Sequence, residues 1–290
     1  MIMLFTELTK QPKSAAQVNG NSATNLRDGQ TKCIGILLAG GLSSRMGTNK
    51  AQLVRPAISN EHGTRSQSFQ AQSMLAFSAQ LLLDAGVDQL IVSANASQAA
   101  QLTNEIGQLF IRQHSIIQAD TSSQAGTSQV GMGEPKVVTD LTPKLGPLGG
   151  IYSVLEQIPC QAALILPVDL PLMTSDALRT LKQAGELNHQ ATMYRHHMLP
   201  LYLPNNGYTE LFFKQHFRAL AASASQAPVT DNGKTTSPIE KTQGASIKTL
   251  LSQLPHQSIE CTAPNLLTNT NTPEDWQHAQ SQLLSPRRSF

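Results

Sequence analysis

Residues 37–51 read LLAGGLSSRMGTNKA and combine the residue types that bind phosphate. Gly40 and Gly41 follow an apolar run, and the cations Arg45 and Lys50 come shortly after them. Backbone N–H groups of a glycine-rich loop can approach phosphate oxygens closely, and the two cations supply positive charge. The stretch therefore indicates an anion site, although a glycine turn with two exposed basic residues would show the same pattern.

The loop fits neither of the two best-known phosphate-binding patterns. A Walker A loop closes with Gly-Lys-Ser/Thr, whereas Gly47 is followed by Thr48 and Asn49 before Lys50. The spacing of its glycines also differs from the dinucleotide fingerprint GxGxxG. The loop therefore indicates a third kind of phosphate site, and further sequence motifs are needed to define its chemistry.

Two further motifs help to define this chemistry. GPLGGI at 146–151 is a glycine-rich turn that opens a helix, and LPVDLP at 166–171 places Asp169 between two prolines. An aspartate at the end of a strand is suited to Mg²⁺, which binds through one or two carboxylates plus substrate phosphates. A helix cap or a turn is the structural alternative for Asp169. Together with the loop, the two motifs favour a site for Mg²⁺ and phosphate.

The elements that must position these residues alternate between strands and helices. Short apolar runs predict buried strands at 33–39, 89–95, 137–140 and 162–169. Apolar residues at helical spacing predict helices at 69–85, 97–110, 151–158, 174–187 and 207–222. This alternation predicts an α/β fold with a doubly wound, mostly parallel, Rossmann-like sheet.

Ligands of such sheets bind at the carboxyl ends of the strands. The residues that end the predicted strands are Gly40, Gly41, Asn95, Asp140 and Asp169. We therefore expect them to converge on one crevice.

The chain has 290 residues, enough for one large domain or two small ones. Residues 1–32 are polar and aperiodic over most of their length, which predicts a flexible extension. We expect 33–285 to form a single domain. Segments rich in Ser, Gln, Gly and Thr near 55–68, 119–135 and 222–244 are predicted surface insertions.

Composition argues against several classes of function. The net charge of +2 provides no general attraction to nucleic acid or to a membrane surface. No apolar run approaches the roughly 18 residues of a membrane helix, and the N-terminus lacks the pattern of a signal peptide or an anchor. Cys33, Cys160 and Cys261 have no metal-ligand or redox spacing. We expect a cytoplasmic protein with buried thiols and no nucleic-acid or membrane partner.

Four motifs, in order, resemble the molybdenum cofactor guanylyltransferase (MobA) family. The opening loop resembles LAGGxSxRMGxDK, and the two later motifs resemble GPLxGI and PCDxP. LLTNTNTPEDW at 266–276 is similar to the family's NxNTPED signature. The resemblance runs from about Cys33 to Trp276 except for the three insertions, and it implies a nucleotidyltransferase fold.

The resemblance also implies roles for individual residues. The positions that match the family's GTP-binding residues are Leu38, Ala39, Gly40, Gly41, Lys50, Asn95, Asp140 and Asp169. Catalysis would be carried by Lys50, Arg45 and Asp169, with Asp169 as the ligand of the Mg²⁺ cofactor. Asn269 and Asn271 would lie near the second substrate.

Two positions depart from the family pattern. Asn49 replaces the aspartate before the lysine, which removes a negative charge beside the phosphate site. Val168 replaces the cysteine of PCDxP, so this cysteine is not chemically required.

The implied reaction transfers GMP from GTP to the terminal phosphate of molybdenum-loaded molybdopterin and releases pyrophosphate. A phosphate monoester has a second pKa of roughly 6, so it is largely dianionic at pH 7 and needs no general base. Catalysis would rest on positioning and charge neutralisation. The implied partners are GTP and molybdopterin, with molybdoenzymes or other cofactor-biosynthesis proteins as recipients of the product.

Other functions remain open. A cytidylyltransferase would use CTP with molybdopterin or a sugar-alcohol phosphate. Related CTP enzymes tend to read LAAG at 38–41, where an alanine at position 40 would add a methyl group near the base edge. Gly40 therefore favours guanine by resemblance. Sugar-1-phosphate nucleotidyltransferases share the GGxGxR type of loop but usually lack NTNTPED. A non-catalytic nucleotide-binding adaptor would not need an intact Lys50 and Asp169.

Overall fold

The computed structural model describes residues 31–40, 46, 49–56, 71–120, 133–141, 145–217 and 246–285. For 112–120 the description is of the backbone alone. The predicted extension at 1–32 lies outside the described residues except for its last two positions, and so does most of each predicted insertion.

The strands of the described residues are β1 (Thr31–Leu38), β2 (Val54–Arg55), β3 (Gln72–Ser73), β4 (Gln89–Ala94), β5 (Gly133–Thr139), β6 (Cys160–Pro167), β7 (Ala191–Tyr194), β8 (His197–Pro204) and β9 (His256–Ile259). The α-helices are α1 (Met74–Asp84), α2 (Ala96–Asp120), α3 (Gly146–Gln157), α4 (Ser175–Asn188), α5 (Gly207–His216), α6 (Ile247–Gln253) and α7 (Pro273–Leu284). Short 3₁₀ helices lie at Lys50–Gln52 and Pro264–Leu267. None of the helices described here is both long and apolar enough to cross a membrane.

Seven strands form one sheet in the order β5-β4-β1-β6-β8-β7-β9, and β2 pairs with β3 in a separate antiparallel ribbon. β5, β4, β1 and β6 are parallel, β8 is antiparallel to both of its neighbours, and β9 is parallel to β7. The prediction of a mostly parallel α/β sheet is confirmed. Since β1 has β4 on one side and β6 on the other, the strand order reverses there, and in sheets of this kind ligands bind at the carboxyl end of such a strand.

Apolar layers cover both faces of the sheet. One layer is built from α1, α2, α4 and α7, with Phe77, Leu102, Leu178 and Trp276 in its core. The other is built from α3, α5 and α6, with Ile151, Phe213 and Leu250 in its core. Successive side chains of β1 enter opposite layers, which is why its sequence is continuously apolar.

Several element boundaries differ from the predicted ones. α1 begins at Met74 because the Ser73 hydroxyl caps it, accepting the Ala76 N–H at 3.1 Å. α3 begins at Gly146, within the glycine-rich segment, because Pro147 in its first turn needs no N–H partner.

Described elements also extend into two of the segments assigned to insertions. α2 continues to Asp120, and β5 begins at Gly133, so both elements enter the segment assigned to 119–135. Arg55, assigned to the first insertion, lies in β2 and is buried. Its Nε donates to the Pro171 carbonyl at 2.8 Å, and its guanidinium lies 4.0 Å from the Phe77 ring centroid.

Sequence analysis predicted no strand after Asp169, yet β7, β8 and β9 complete the sheet. β7 and β8 form a hairpin whose turn contains His196 with φ of 65°. β9 comes from a segment far along the chain and adds to the edge of β7. β8 also pairs with β6, and β9 pairs with β7, so part of the stability of these strands comes from residues distant in the chain, which a local pattern does not show.

Gly185 provides a test of how tightly α4 packs on the sheet. A Cβ atom at this position would lie under 3.0 Å from the Tyr202 ring of β8. Gly185→Ala should therefore destabilise the fold, because overpacking costs about 1–3 kcal/mol while the helix gains only about 1 kcal/mol. Urea denaturation measures the change, and Gly107→Ala in α2, where a Cβ meets no atom within 4 Å, is the matched control. The control should be stabilised, and a stabilised Gly185→Ala would contradict the packing.

Candidate functional site

The ends of four parallel strands meet at one edge of the sheet. Backbone hydrogen bonds tie them together: Ala39 N–H donates to Ser93 O at 2.9 Å, Asp140 N–H to Ala94 O at 3.2 Å, and Val168 N–H to Leu38 O at 3.3 Å. The structure thus brings the predicted residues Gly40, Asn95, Asp140 and Asp169 to this edge. Gly41 and Arg45 lie outside the described residues.

Leu38 and Ala39 reach the edge through their backbone. The Leu38 side chain packs against one apolar layer, and that of Ala39 is buried in the other. Any contact from these residues to a ligand at the edge would therefore come from N–H and C=O groups.

Gly40 lies close to the end of β4. The Asn95 side-chain amide donates to the Gly40 carbonyl, and a Cβ at residue 40 would lie 3.3 Å from Asn95 N and 3.4 Å from its Oδ1. Sequence analysis expected a methyl group here to approach the base edge. In the structure the Cβ direction at residue 40 points at Asn95, so an alanine here would press on the end of β4.

Asp140 is held by two neighbouring elements. Its Oδ1 accepts a hydrogen bond from the Ser93 hydroxyl at 3.2 Å, and the next residue, Leu141, donates its N–H to Ser153 of α3 at 2.8 Å. Burial raises the pKa of the Asp140 carboxyl, and the bond from Ser93 acts in the opposite direction. Sequence analysis missed Ser93, whose only signal is a hydroxyl inside the apolar run QLIVSA.

Gly150 allows α3 to approach this carboxylate. A Cβ on Gly150 would lie under 3.0 Å from Ser93 Oγ and 3.4 Å from Asp140 Oδ1. The second motif, GPLGGI, therefore contributes close packing against the Asp140 carboxylate as well as a helix start.

Lys50 joins three separate motifs. Its Nζ lies 3.0 Å from Asp169 Oδ2 and 2.7 Å from Asn271 Oδ1, although the partners are 119 and 221 residues away in sequence. The side chains of Lys50 and Asp169 are 15% and 19% exposed, so their attraction is screened less than that of a surface pair. This arrangement places a cation, a carboxylate and an amide at the ends of β1 and β6.

Short local structures hold Lys50 and Asp169. Asn49 caps the 3₁₀ helix that starts at Lys50, with its Oδ1 accepting the Ala51 N–H at 3.1 Å. Asn49 thus supplies an acceptor oxygen of the kind an aspartate would supply, without the negative charge. Asp169 lies in the turn after β6, and its carbonyl accepts the N–H of the buried Thr270 at 2.9 Å. Asn269, also predicted at the site, is exposed.

A divalent cation fits this donor set only if a substrate completes its coordination. Lys50 contacts Oδ2 of Asp169, which leaves Oδ1 without a partner among the described residues. Those residues contain no group of three or more His, Cys, Asp or Glu side chains that could hold a metal ion. One carboxylate completed by phosphate oxygens and water is a coordination that Mg²⁺ accepts.

Residues 35–231 match the family described as the MobA-like NTP transferase domain. The chain belongs to this family. It is a nucleotidyltransferase, and its mixed sheet with helices on both faces is the fold that the resemblance implied.

Two curated relatives are molybdenum cofactor guanylyltransferases by name. The protein of Xanthomonas euvesicatoria pv. vesicatoria is 25% identical over 248 residues, which cover 83% of the transferase described here and 91% of the relative. A probable guanylyltransferase of Methanothermobacter thermautotrophicus is 42% identical over 69 residues, 23% of this chain. The matched segment spans only 34% of that relative's length.

The fold of the transferase is also found in a solved structure. A nucleotidyl transferase from Methanothermobacter thermautotrophicus superposes with a TM-score of 0.50 and 14% sequence identity. The superposition covers 87% of this chain and 98% of the other. At this identity the likeness concerns the fold alone.

Substitution of Gly150 tests the packing around Asp140 in the transferase. In Gly150→Ala the new methyl group should displace Ser93 Oγ, costing about 1–3 kcal/mol of stability. Loss of the Ser93 hydrogen bond should also raise the pKa of Asp140 further, because that bond lowers the pKa while burial raises it. Urea denaturation and carboxyl-carbon NMR titration measure the two effects.

Ser93→Ala is the matched companion variant. In the double variant the Oγ atom is gone and the Ser93 Cβ lies 3.3 Å from the Gly150 Cβ position, so part of the stability should return. The raised pKa of Asp140 should persist, because the donor is still missing. Native stability and an unchanged Asp140 pKa in Gly150→Ala would contradict this account.

Proposed function

We propose that the chain transfers GMP from GTP to the terminal phosphate of molybdenum-loaded molybdopterin, forming the guanine dinucleotide form of the cofactor and pyrophosphate. The observation that carries this proposal is the contact of Lys50 with both Asp169 and Asn271 at the ends of β1 and β6. It unites three of the motifs that resemble the guanylyltransferase family. The names of the two curated relatives support the same reaction.

The chemistry suits a site of this composition. An oxygen of the molybdopterin phosphate forms a bond to the α-phosphorus of GTP, and the bond from that phosphorus to the bridging oxygen breaks, with pyrophosphate leaving on the electron pair. The attacking phosphate is already largely dianionic at pH 7, since its second pKa is roughly 6. No side chain has to remove a proton, so the residues act by orientation and by electrostatic stabilisation.

Lys50 and Asp169 have complementary roles in the proposed reaction. The Lys50 ammonium stabilises negative charge on the phosphates, and the Asn271 amide oxygen accepts a hydrogen bond from that ammonium. Asp169 would hold Mg²⁺ through its carboxylate. When bound, the ion would supply a second positive charge for the nucleotide phosphates. Arg45 would add charge from the loop.

The strand ends supply the proposed nucleotide site. Backbone groups at Leu38, Ala39 and Gly40 would contact the base. The Ala39 N–H already donates to Ser93 O and the Gly40 carbonyl accepts from Asn95, so those contacts would come from the remaining backbone groups. Asp140, held by Ser93, offers a carboxylate to the nucleotide. The product would then pass to a molybdoenzyme or to another cofactor-biosynthesis protein.

Replacing Lys50 or Asp169 tests the proposed site. Lys50→Ala and Asp169→Asn should each reduce pyrophosphate release by about 10²–10³-fold, the usual effect of removing one group that stabilises a transition state. Turnover is measured with MgGTP and molybdopterin. Lys214→Ala removes a lysine of similar type from an exposed ion pair on α5 and should retain native turnover. Turnover that falls less than about tenfold in both site variants would contradict the assignment.

The choice of nucleotide needs a separate experiment. In the same assay, MgGTP should support pyrophosphate release with molybdopterin, and MgCTP should do so poorly. Faster release with MgCTP would instead identify a cytidylyltransferase. Nucleotide binding without release for any acceptor tested would favour the non-catalytic adaptor.

A further inference from the structure

The C-terminal signature contains a carboxylate with more partners than its helix requires. At the start of α7, Asp275 Oδ2 accepts the Thr272 N–H at 2.9 Å, and the Thr272 hydroxyl accepts the Asp275 N–H at 3.2 Å. These two bonds form a complete capping box. The same Oδ2 also accepts the Asn271 N–H at 2.9 Å, a bond that the capping box does not need.

This additional bond acts on the residue that contacts Lys50. Asn271 donates its backbone N–H to Asp275 and uses its side-chain Oδ1 to accept from Lys50 at 2.7 Å. The preceding residue, Thr270, is fixed separately through its N–H bond to the Asp169 carbonyl at 2.9 Å. The backbone on both sides of the Asn271 side chain is therefore held, which limits the positions that its amide can take.

We propose that Asp275 is a positioning residue for the transfer reaction: its carboxylate orients Asn271, and Asn271 in turn holds the Lys50 ammonium beside Asp169. The inference rests on the proposed function through the role given to Lys50. Asp275 lies within the NTPED signature, in which the resemblance gives a role only to Asn271.

The charge of Asp275 strengthens these bonds. The pKa of its carboxyl lies below the ordinary value, chiefly because the N–H groups of Asn271 and Thr272 donate to the ionised form. The positive charge of Lys50 contributes in the same direction. The group is thus ionised at neutral pH, and hydrogen bonds to an ionised acceptor are roughly twice as strong as neutral ones.

If Asp275 only caps α7, its variants should respond differently from variants of a residue that also positions Asn271. Thr272→Ala weakens the same helix start, because the acceptor for the Asp275 N–H is lost, but both carboxylate bonds of Asp275 remain possible. Asp275→Ala removes the carboxylate half of the capping box and the bond to Asn271 together, while the Thr272 hydroxyl can still accept the backbone N–H of residue 275. The two variants therefore separate helix stability from the orientation of Asn271.

The experiment measures kcat and KM for pyrophosphate release together with the melting temperature of the full chain. Both variants should melt at lower temperature than the native chain. Asp275→Ala should lose about tenfold or more in kcat/KM, the scale on which removal of a supporting partner usually acts. Thr272→Ala should stay within about twofold of native. Equal losses of kcat/KM in the two variants would overturn the proposal.

The conservative variant gives a second readout. Asp275→Asn keeps an amide oxygen that can accept both N–H groups, so it should recover most of the turnover lost in Asp275→Ala. An Asp275→Asn variant as inactive as Asp275→Ala would overturn positioning through these hydrogen bonds.

A double-mutant cycle tests whether Asp275 acts through Asn271. If it does, Asp275→Ala should cause little further loss of kcat/KM in a chain that already carries Asn271→Ala. Losses that multiply in the double variant would show that Asp275 acts independently, and the proposal would fail.

Nucleotide binding separates this inference from the proposed reaction. Calorimetric titration with MgGTP and with MgCTP needs no acceptor substrate. It measures the Asp275→Ala and Asn271→Ala double-mutant cycle as changes in the nucleotide Kd. If the native chain binds a nucleotide but releases no pyrophosphate with molybdopterin, the proposed function fails. The positioning role would still be supported if Asp275→Ala and Asn271→Ala each raised the nucleotide Kd and the double variant raised it little further. Native Kd in Asp275→Ala, with native turnover, would overturn it.

Discussion

The site depends on one interaction, the contact of the Lys50 ammonium with the Asp169 carboxylate and the Asn271 amide. A partly buried charge is costly unless it is paired, so the fold has to bring both partners to Lys50 despite their distance along the chain. Asp169 arrives on the turn after β6, next to β1, and Asn271 arrives at the start of α7. The contacts of this one ammonium group therefore depend on the order of strands in the sheet and on the position of the C-terminal helix.

The sheet contributes rigidity at the point where it is needed. β1 is buried between β4 and β6 and covered by apolar layers on both faces, so its carboxyl end is fixed. α3 then packs against the neighbouring strand end because Gly150 has no side chain, and the Ser93 hydroxyl holds Asp140 there. Polar groups at this edge are supported by hydrogen bonds from neighbouring elements, which orients them before any ligand binds.

Charge accounts for the chemistry that such a site can perform. A phosphate nucleophile does not require a base, and the described part of the site uses a lysine, carboxylates and amides. The arrangement is suited to holding anionic groups in line and to offsetting their charge. Support from outside the immediate site, through Asp275 and Ser93, is consistent with a reaction in which small changes of position matter.

The sequence by itself determined the fold class and the family resemblance, because the motifs are local and occur in a characteristic order. Through that resemblance it also predicted Lys50, Asp169, Asn271 and Asp140 as site residues. It did not define β7, β8 and β9, because β8 also pairs with the distant β6 and β9 adds to β7 from far along the chain. Only the tertiary structure decided that Gly40 faces Asn95, that Gly150 abuts Ser93, and that Asp275 reaches Asn271 beyond its cap. The first two depend on the direction of a Cα–Cβ bond relative to a neighbouring element, and the third depends on the backbone conformation just before α7. A residue pattern does not specify these geometries.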